Sequence, residues 1–319
     1  MKVLVTLNIP EAGLHMLEEA GHTVTVHKEV APMSQEELIE RCQEVDALLC
    51  TGPDKIDRHF LESCRHLQAI SIFAAGYDNI DVASAKEMGV PVGNAPDAMS
   101  DATADVAFML MLAASRKLCY MHKSIIAGDW GYFEPRAHLG QELKGKTLGI
   151  FGLGRIGMEM ARRCKGAYQM EVIYHNRRAN RSAEQELGAR AVSFEELLKQ
   201  SDVLSVHSVL SEETKGQFDK AAFSQMKPNA IFVNTSRGPV HNETDLIEAL
   251  ENGTIWGAGL DVTNPEPMAP DNPLLSMENV AVAPHIGSAT VEARDEMSRR
   301  AAQNIIQFFE EGKVAYPIT

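Results

Sequence analysis

A glycine-rich turn stands between an apolar strand pattern and a helix pattern near the middle of the chain. The apolar run Thr147–Phe151 is followed directly by Gly152-Leu153-Gly154-Arg155-Ile156-Gly157. In a G-x-G-x-x-G turn, the first glycine permits a tight turn, the second lets the backbone approach a pyrophosphate, and the third lets the helix pack closely on the strand. The N-terminus of that helix offers unpaired N–H groups and partial positive charge to phosphates. A second strand pattern, Glu171–His175, completes the unit, so the sequence predicts a dinucleotide-binding domain.

The alternation of strand and helix patterns extends over most of the chain. Strand patterns occur before residue 100 at residues 3–7, 23–27, 47–51, 69–73 and 90–93. Further strand patterns occur at residues 147–151, 171–175, 190–192, 203–207, 230–235, 257–262 and 280–283. Helix patterns separate them, and one of these, residues 34–41, has the Ser34 and Glu37 spacing of a capping box. Strands that alternate with helices predict an α/β protein built from doubly wound parallel sheets.

Two longer helix patterns connect the two series of strands. An apolar helix pattern that begins at Ser100 runs to about residue 118 and leads into the second series. A final helix pattern, residues 288–311, is long enough to return to the first series. The first domain would then be discontinuous in sequence, and a cleft would lie between it and the nucleotide-binding domain.

Composition and charge exclude several classes of protein. The chain has 319 residues, enough for two domains of ordinary size, and a formal net charge of -14. Such an acidic chain does not predict a nucleic-acid groove, and an anionic substrate would need a local cation to bind. The most apolar later stretch, residues 106–115, is about half as long as a membrane span requires. Five scattered cysteines without metal-ligand spacing predict neither a disulfide scaffold nor a metal site, so we expect a cytoplasmic protein.

Three polar residues come shortly after apolar strand patterns in the second half. Arg237, Glu266 and His285 each follow the end of a predicted strand, at 230–235, 257–262 and 280–283. In open α/β sheets, ligands bind at the carboxyl ends of the strands. Each residue alone has a structural interpretation, as a surface cation, a solvated loop acid or a helix-capping imidazole. At three successive strand ends of one nucleotide-binding sheet, the set instead predicts an active site.

These three residue types suit the reduction of a 2-oxo acid. A guanidinium binds the carboxylate and polarises the adjacent carbonyl, and Arg237 can supply it. An imidazole can protonate the developing alkoxide near neutral pH, which predicts His285 as the proton donor. A neighbouring carboxylate favours the imidazolium, and Glu266 can provide one. A nicotinamide would supply the hydride.

The segments around these residues are similar to those of the D-isomer-specific 2-hydroxyacid dehydrogenase family, in which Arg, Glu and His follow G-x-G-x-x-G in this order. The resemblance covers essentially the whole chain. It implies a discontinuous, flavodoxin-like substrate domain, residues 1–99 plus 286–319, and a Rossmann domain, residues 100–285. The segment 75–81 resembles the family's substrate-binding loop, which implies that the amides of Ala75 and Gly76 meet the substrate carboxylate.

The resemblance also implies further contacts with the cofactor. Thr103 and Asp261 would contact it, and Arg155 and Ile156 would lie against the pyrophosphate. The residues assigned to cofactor binding are therefore Thr103, Gly152, Gly154, Arg155, Ile156, Gly157, Thr235 and Asp261, together with the strand-end residues considered next.

The second strand of the nucleotide-binding unit ends without the acidic residue that binds the ribose 2′-hydroxyl in NAD-specific sites. No acidic residue occurs within residues 172–183, whereas Arg177 and Arg178 stand close to the strand end. A carboxylate would repel a 2′-phosphate, and adjacent arginines can hold one through charge-assisted hydrogen bonds. The sequence therefore favours NADP(H). NAD(H) stays possible, because His175 and Asn176 could hydrogen-bond a plain ribose and the arginines could form only a solvated basic turn.

Within the family, the chain looks most like the glyoxylate and hydroxypyruvate reductases, on segments 174–178 and 261–267. This resemblance implies the reduction of small 2-oxo acids to D-2-hydroxy acids. Dehydrogenases of the 2-ketogluconate or D-lactate type and phosphonate dehydrogenases are alternatives, because the residues that shape the substrate pocket cannot be sized from sequence. A dinucleotide-sensing binding protein, like the family's transcriptional corepressors, is an alternative of another class.

The segment 128–130 resembles one that, in such reductases, brings a tryptophan toward the neighbouring subunit's active site. Trp130 could equally pack only a dimer interface. In either case the family expectation is a homodimer formed through this region.

Overall fold

The structure is a computed structural model that describes residues 1–319. Its contacts divide the chain into two compact units, Met1–Met99 with Ser288–Thr319, and Ser100–Gly287. We call these the terminal unit and the central unit. Neither unit contains a helix with both the length and the apolar character needed to cross a bilayer.

Short strands alternate with helices along the whole chain. The strands are β1 (Lys2–Val5), β2 (Thr23–Val26), β3 (Ala47–Cys50), β4 (Ala69–Ile72), β5 (Val92–Gly93), β6 (Thr147–Phe151), β7 (Glu171–His175), β8 (Arg190–Ala191), β9 (Val203–Val206), β10 (Ile231–Asn234), β11 (Gly257–Leu260) and β12 (Val280–Val282). The helices are α1 (Glu11–Glu19), α2 (Gln35–Cys42), α3 (Arg58–Ser63), α4 (Val82–Glu87), α5 (Ser100–Ser115), α6 (Leu118–Ala127), α7 (Arg155–Tyr168), α8 (Arg181–Leu187), α9 (Phe194–Gln200), α10 (Lys220–Ser224), α11 (Glu243–Glu251) and α12 (Val291–Glu311).

All five strands of the terminal unit are parallel, in the order β2-β1-β3-β4-β5. This is the strand order of a flavodoxin-like sheet. The residues of β3 and β4 are buried throughout, as expected for central strands of a parallel sheet with both faces covered. Two apolar clusters form in this unit, one that includes Phe60 and Ile70 and another that includes Val3 and Ile305.

A buried amide joins helix α12 to the strands of the terminal unit. The fully buried Asn304 side chain donates to Ser71 Oγ at 3.0 Å and to the Asn94 carbonyl at 2.9 Å. Its Oδ1 accepts from the Tyr316 amide at 2.8 Å. All the hydrogen-bonding groups of this amide are directed at polar atoms that would otherwise be buried without partners. This side chain therefore adds to the backbone hydrogen bonds that join Tyr316 and Ile318 to Asn94 and Val92.

The seven strands of the central unit are also parallel, in the order β12-β11-β10-β9-β6-β7-β8. If the strands of this unit are numbered from one to seven along the chain, their order from the β8 edge is 3-2-1-4-5-6-7. This is the Rossmann order with one added strand. The two sheets confirm the predicted α/β class with two doubly wound parallel sheets. Strands β6 and β9 form the switch point, where open α/β sheets bind ligands outside the carboxyl ends of the strands.

Helices α5 and α7 pack against the central sheet. Ala107 and Met111 of α5, Ala161 of α7 and Ile150 of β6 belong to one buried apolar cluster. The approach of α5 to strand β11 is close, since a Cβ atom at Gly259 would lie 2.9 Å from the Leu110 side chain. A second cluster contains aromatic rings packed largely edge to face, among them Phe151, Phe194, Phe218, Phe223 and Phe232.

The apolar helix predicted from Ser100 to about residue 118 ends slightly earlier in the structure, and a second helix that was not predicted follows it. Helix α5 ends at Ser115, Lys117 has a φ of +55°, and α6 begins at Leu118. A left-handed residue cannot continue a right-handed helix, so the chain changes direction there. Helix α6 buries none of its residues, and the apolar pattern there is not explained by core packing.

Two predicted helix starts also differ in detail from the structure. The final helix begins at Val291 and not at residue 288, because the Thr290 hydroxyl caps it by accepting a backbone N–H of the first turn. The capping box at Ser34 is half formed. Its hydroxyl accepts from the Glu37 amide, but the Glu37 carboxylate pairs with Arg41 at 2.8 Å instead of returning to the cap.

Replacing Asn304 with leucine should destabilise the terminal unit by about 3 kcal/mol, because buried polar partners lose their hydrogen bonds. The matched control is Gln303→Leu, the preceding residue of the same helix, which is only half-buried and should change stability little. Urea unfolding of both variants and the wild-type protein measures the difference. Identical unfolding midpoints for Asn304→Leu and the wild-type protein would contradict the role of this amide.

Candidate functional site

A cavity of about 760 Å³ opens at the switch point of the central unit. Its walls come mainly from the segments that follow β6, β7 and β9, which end at the same edge of the parallel sheet. The lining residues are Phe151, Gly152, Leu153, Gly154, His175, Asn176, Arg177, Arg178, Phe194, His207, Ser208, Val209, Ser211, Glu213, Thr214 and Gln217.

The glycine turn forms one side of this cavity. Gly152 has a φ of +91°, and a Cβ atom there would lie 2.7 Å from the Ser208 amide nitrogen. Both its conformation and the close approach of the loop after β9 therefore require glycine. Gly154 is the N-cap of α7 and has open space where a side chain would stand, whereas Gly157 packs against Ile150. The N-terminus of α7 is thus accessible to an anion.

The side chain of Asn176 is bonded to the glycine turn. Its Oδ1 accepts from the Leu153 amide at 2.6 Å, and its Nδ2 donates to the Leu153 carbonyl at 3.1 Å. Asn180 donates to the same carbonyl at 3.0 Å. The ribose contact predicted for Asn176 therefore competes with two hydrogen bonds that hold the turn.

The predicted basic turn, Arg177 and Arg178, belongs to the lining of the cavity. The Arg177 guanidinium lies 3.8 Å from the Glu213 carboxylate, and these side chains are 83% and 72% exposed. An exposed ion pair contributes little free energy, so Arg177 can exchange Glu213 for another anion.

His175, which also lines the cavity, stacks on Phe151 with ring centroids 5.8 Å apart.

His207 and Ser208 also line this cavity, although neither is among the residues predicted to bind the cofactor. The Ser208 hydroxyl is buried and has no hydrogen-bond partner in the protein, which makes it available to a polar ligand. Burial lowers the pKa of His207 to about 4, so the ring is neutral near pH 7, and its Nε2 lies 2.8 Å from Ser205 Oγ. One signal for these residues was available, because the predicted strand 203–207 ends at His207. The sequence does not show, however, that this strand pairs with β6, the strand that precedes the glycine turn.

A second cluster of the central unit joins Glu266 and His285. The distance from His285 Nδ1 to Glu266 Oε1 is 2.5 Å, that of a short charge-assisted hydrogen bond. Burial raises the pKa of the Glu266 carboxyl, but the hydrogen bond and charge of His285 and the charge of Arg237 outweigh it and leave the pKa below its usual range. The structure therefore pairs Glu266 with His285, and the charge of Arg237 acts on the same carboxylate.

The backbone of His285 adopts a left-handed conformation, with a φ of +53°. Such a conformation is uncommon for a residue other than glycine. The Asp261 carbonyl accepts from the His285 amide at 2.9 Å, and the Asp261 carboxylate accepts from the amides of Ile286 and Gly287 at 2.8 and 2.7 Å. Burial raises the pKa of the Asp261 carboxyl, although these amides favour its ionised form. The carboxylate predicted to contact the cofactor is thus bonded to the loop that carries His285.

Arg237 lies in a loop that Asn234 holds. The Asn234 Oδ1 accepts from the amide and the hydroxyl of Ser236 at 2.9 and 2.8 Å, and its Nδ2 donates to the Arg237 carbonyl at 2.9 Å. The same Nδ2 lies 3.0 Å from His241 Nδ1. Burial lowers the pKa of His241 to about 4, so this nitrogen remains an acceptor near pH 7. These bonds fix the backbone from which the guanidinium projects.

Thr103 and Thr235, both predicted to bind the cofactor, are buried and already bonded within the central unit. Thr103 Oγ1 donates to the Gly287 carbonyl at 3.2 Å. Thr235 Oγ1 lies 3.4 Å from His207 Nδ1, which connects it to the wall of the cavity.

The remaining predicted residues lie outside the cavity lining. Arg155 and Ile156 are the first two residues of α7. Ala75 and Gly76 belong to the terminal unit, in the loop that follows β4, where the Ala75 carbonyl accepts from Asn94 Nδ2 at 2.7 Å.

The chemistry of the cavity fits a nicotinamide dinucleotide. The accessible N-terminus of α7 suits a pyrophosphate. The unpartnered hydroxyl of Ser208 suits a polar group of the nucleotide, and the Arg177 and Arg178 turn suits an added phosphate.

Comparisons with known proteins agree with this geometry. Residues 108–287 match the NAD binding domain of the D-isomer specific 2-hydroxyacid dehydrogenases. The glyoxylate reductase of Thermococcus litoralis is 44% identical to this chain, over 96% of this chain and 93% of its own. The crystal structure of a glyoxylate reductase from Paecilomyes thermophila has 34% sequence identity and a TM-score of 0.89, and covers 100% of this chain and 98% of its own.

A further crystal structure shows an NADPH-dependent glyoxylate/hydroxypyruvate reductase from Sinorhizobium meliloti in complex with NADP and malonate. It has 30% sequence identity and a TM-score of 0.87, and covers 100% of this chain and 96% of its own. The chain therefore belongs to the D-isomer specific 2-hydroxyacid dehydrogenase family and is an NAD(P)-dependent oxidoreductase.

Proposed function

We propose that the protein is an NADPH-preferring reductase of small 2-oxo acids, which converts glyoxylate to glycolate and hydroxypyruvate to the D-2-hydroxy acid. The observation that carries this proposal is the contact of Glu266 with His285, on which the charge of Arg237 also acts. These residues follow strands of the same parallel sheet whose switch point holds the nucleotide cavity. The choice of substrate is supported by relatives of 38% to 44% identity that are glyoxylate reductases.

The three catalytic side chains have distinct roles in this proposal. Arg237 binds the substrate carboxylate through its planar fork and polarises the 2-oxo carbonyl. His285, held at Nδ1 by Glu266, donates the proton on its other ring nitrogen to the carbonyl oxygen as the hydroxyl forms. Glu266 stabilises the protonated ring. The bound nicotinamide supplies the hydride that the carbonyl carbon accepts.

We assign the preference for NADPH to Arg177 and Arg178. They line the cavity, and no acidic residue within 172–183 opposes a 2′-phosphate. Glu213, which faces Arg177, would give way to the phosphate because its exposed ion pair is weak. The other proposed cofactor contacts are Thr103, Gly152, Gly154, Arg155, Ile156, Gly157, His175, Asn176, Thr235 and Asp261.

We also propose that a second copy of the chain covers the apolar surface formed by α6 and the segment that follows it. Helix α6 buries none of its residues, and Ile126, Trp130, Tyr132 and Phe133 are 75% to 99% exposed. Contiguous exposed apolar side chains mark interaction surfaces more often than free surface. A homodimer would remove these side chains from water.

The purified protein should reduce both glyoxylate and hydroxypyruvate, with a higher kcat/KM for NADPH than for NADH. Steady-state loss of nicotinamide absorbance for the four combinations of substrate and cofactor measures this directly. Turnover confined to larger 2-oxo acids or to phosphite would contradict the substrate assignment. A preference for NADH would contradict the role of the basic turn and leave the reductase assignment intact.

Charge reversal at the basic turn tests the cofactor assignment. Arg177→Glu with Arg178→Glu should raise the KM for NADPH by about tenfold or more, because charge-assisted hydrogen bonds to the 2′-phosphate are replaced by repulsion, and should spare NADH. Arg181→Glu makes the same charge change on nearby α8, outside the cavity lining, and should spare both cofactors. Equal losses with NADPH and NADH would show that the turn does not meet a 2′-phosphate.

His285→Asn should lower kcat by roughly 10²- to 10⁴-fold, because the proton donor is lost, while NADPH still binds. Asparagine is the suitable replacement since it tolerates the left-handed backbone better than alanine. His138→Asn, at another left-handed position with a φ of +55°, is the matched control. Nucleotide fluorescence gives the Kd for NADPH, and a wild-type kcat in His285→Asn would remove this residue from the reaction.

Phe133→Asp should convert the dimer into a monomer in analytical ultracentrifugation, because an unpaired carboxylate in an apolar interface is strongly unfavourable. Val30→Asp makes the same type of change at an exposed apolar residue of the terminal unit and should leave the dimer intact. A monomeric wild-type protein at micromolar concentration would exclude the homodimer.

A further inference from the structure

The loop that carries Glu266 has no helix or strand of its own. It follows β11 and is bonded near both ends to a single side chain, the carboxylate of Glu243. The Asn264 amide donates to Glu243 Oε2 at 2.9 Å, and Asn272 Nδ2 donates to Glu243 Oε1 at 2.7 Å. Glu266 lies between these two attachment points. The position of its carboxylate therefore depends on the position of Glu243.

Glu243 is itself fixed by the core of the central unit. It is the first residue of α11, whose N-cap is Asn242 and whose Leu246 and Leu250 are buried in the apolar cluster of that unit. The Glu243 residue is only 9% exposed, and a carboxylate so far from water needs hydrogen bonds. The N-terminal end of a helix also favours a negative charge. Glu243 is thus a rigid attachment for the loop and not a solvated surface acid.

A carboxylate is the chemical group that this position requires. Both of its partners are N–H donors, and a carboxylate accepts at both oxygens. A glutamine in place of Glu243 would direct its NH₂ group at one of these two donors. The Asn272 amide cannot turn over to accept it without losing the bond from the Leu274 amide to Asn272 Oδ1, which is 3.0 Å long. Glu243→Gln therefore removes one attachment of the loop, and Glu243→Ala removes both.

We propose that Glu243 is a positioning residue for the reaction, which holds the Glu266 carboxylate in hydrogen-bond contact with His285 through the loop 263–272. The inference rests on the roles proposed above for Glu266 and His285. The contact is 2.5 Å long, and a movement of the loop by a fraction of an ångström weakens a bond of this kind. Arg237 and Asp261 are the other charged groups that act on this pair.

The test compares Glu243→Gln, Glu243→Ala, Glu266→Gln and the double variant Glu243→Ala with Glu266→Gln, using NADPH and glyoxylate. Glu243→Ala should lower kcat/KM by about tenfold or more, and Glu243→Gln by less, because it keeps one attachment. In both variants the alkaline limb of the kcat/KM profile should move to lower pH, since a displaced carboxylate favours the protonated donor less. A residue that only supports the fold would not move this limb. In the Glu266→Gln background, Glu243→Ala should have no further effect.

Asp245→Asn is the matched control, because it makes the same acid-to-amide change in the first turn of α11. Its carboxylate accepts from the Lys220 amide at 2.9 Å, away from the loop, so kcat/KM and its pH profile should stay as in the wild-type protein. The Kd for NADPH and the thermal unfolding midpoint report whether each variant keeps its fold. If Glu243→Ala does not fold, Glu243→Gln and its double variant with Glu266→Gln replace it.

The possible outcomes separate this inference from the proposed function. The positioning role would be overturned if the losses in kcat/KM from Glu243→Ala and Glu266→Gln multiply in the double variant, or if the alkaline limb of the kcat/KM profile does not move. Either result would leave Glu266 in the active site. An unimpaired Glu266→Gln would overturn both the role of Glu266 and the inference drawn from it. A loss in Asp245→Asn equal to that in Glu243→Gln would show that α11 acts only as a structural support.

Discussion

The chain crosses from one half of the central sheet to the other after β8, which places β9 beside β6, and the location of the nucleotide cavity follows from that crossing. Strands β7 and β8 extend the sheet on one side of β6, and β9 to β12 extend it on the other. The connections after β6 and β9 therefore diverge and leave a crevice at the carboxyl ends of these strands. Since every strand is parallel, residues widely separated in sequence reach the same edge of the sheet, among them the glycine turn, Arg237, Glu266 and His285.

Short polar side chains hold the irregular loops at this edge. Asn176 bonds the glycine turn, Asn234 bonds the Arg237 loop, Asp261 bonds the amides after His285, and Glu243 bonds the loop of Glu266. Buried backbone groups outside helices and strands still need hydrogen-bond partners, and these side chains supply them. The consequence for chemistry is that each reactive side chain projects from a backbone with few alternative positions.

The left-handed backbone of His285 shows why such support matters. A residue other than glycine keeps this conformation only when its surroundings hold it there. The amide of His285 and the two amides that follow it are all bonded to Asp261. One buried aspartate therefore stabilises the conformation from which the imidazole reaches Glu266.

Much of the fold could be predicted because the relevant signals are local. Each predicted strand overlaps an observed one, because an apolar run between turn residues can be recognised within a few residues of sequence. Helix α6 was not predicted as a separate helix after α5, because no glycine or proline marks the turn at Lys117. The capping box at Ser34 is only half formed because Arg41 competes for Glu37. Glu243 was missed for another reason, since nothing in its own segment distinguishes it and its importance comes from distant partners.

The sequence by itself determined the α/β class, the positions of the strands and the presence of a dinucleotide-binding turn, because these depend on periodicity and on conformations within short segments. It also marked Arg237, Glu266 and His285, because each stands shortly after a strand. Only the tertiary structure decided which strands are neighbours, where the switch point lies and which side chains hold the loops. Strand order and hydrogen bonds between separate segments depend on the path of the whole chain, which no local pattern encodes.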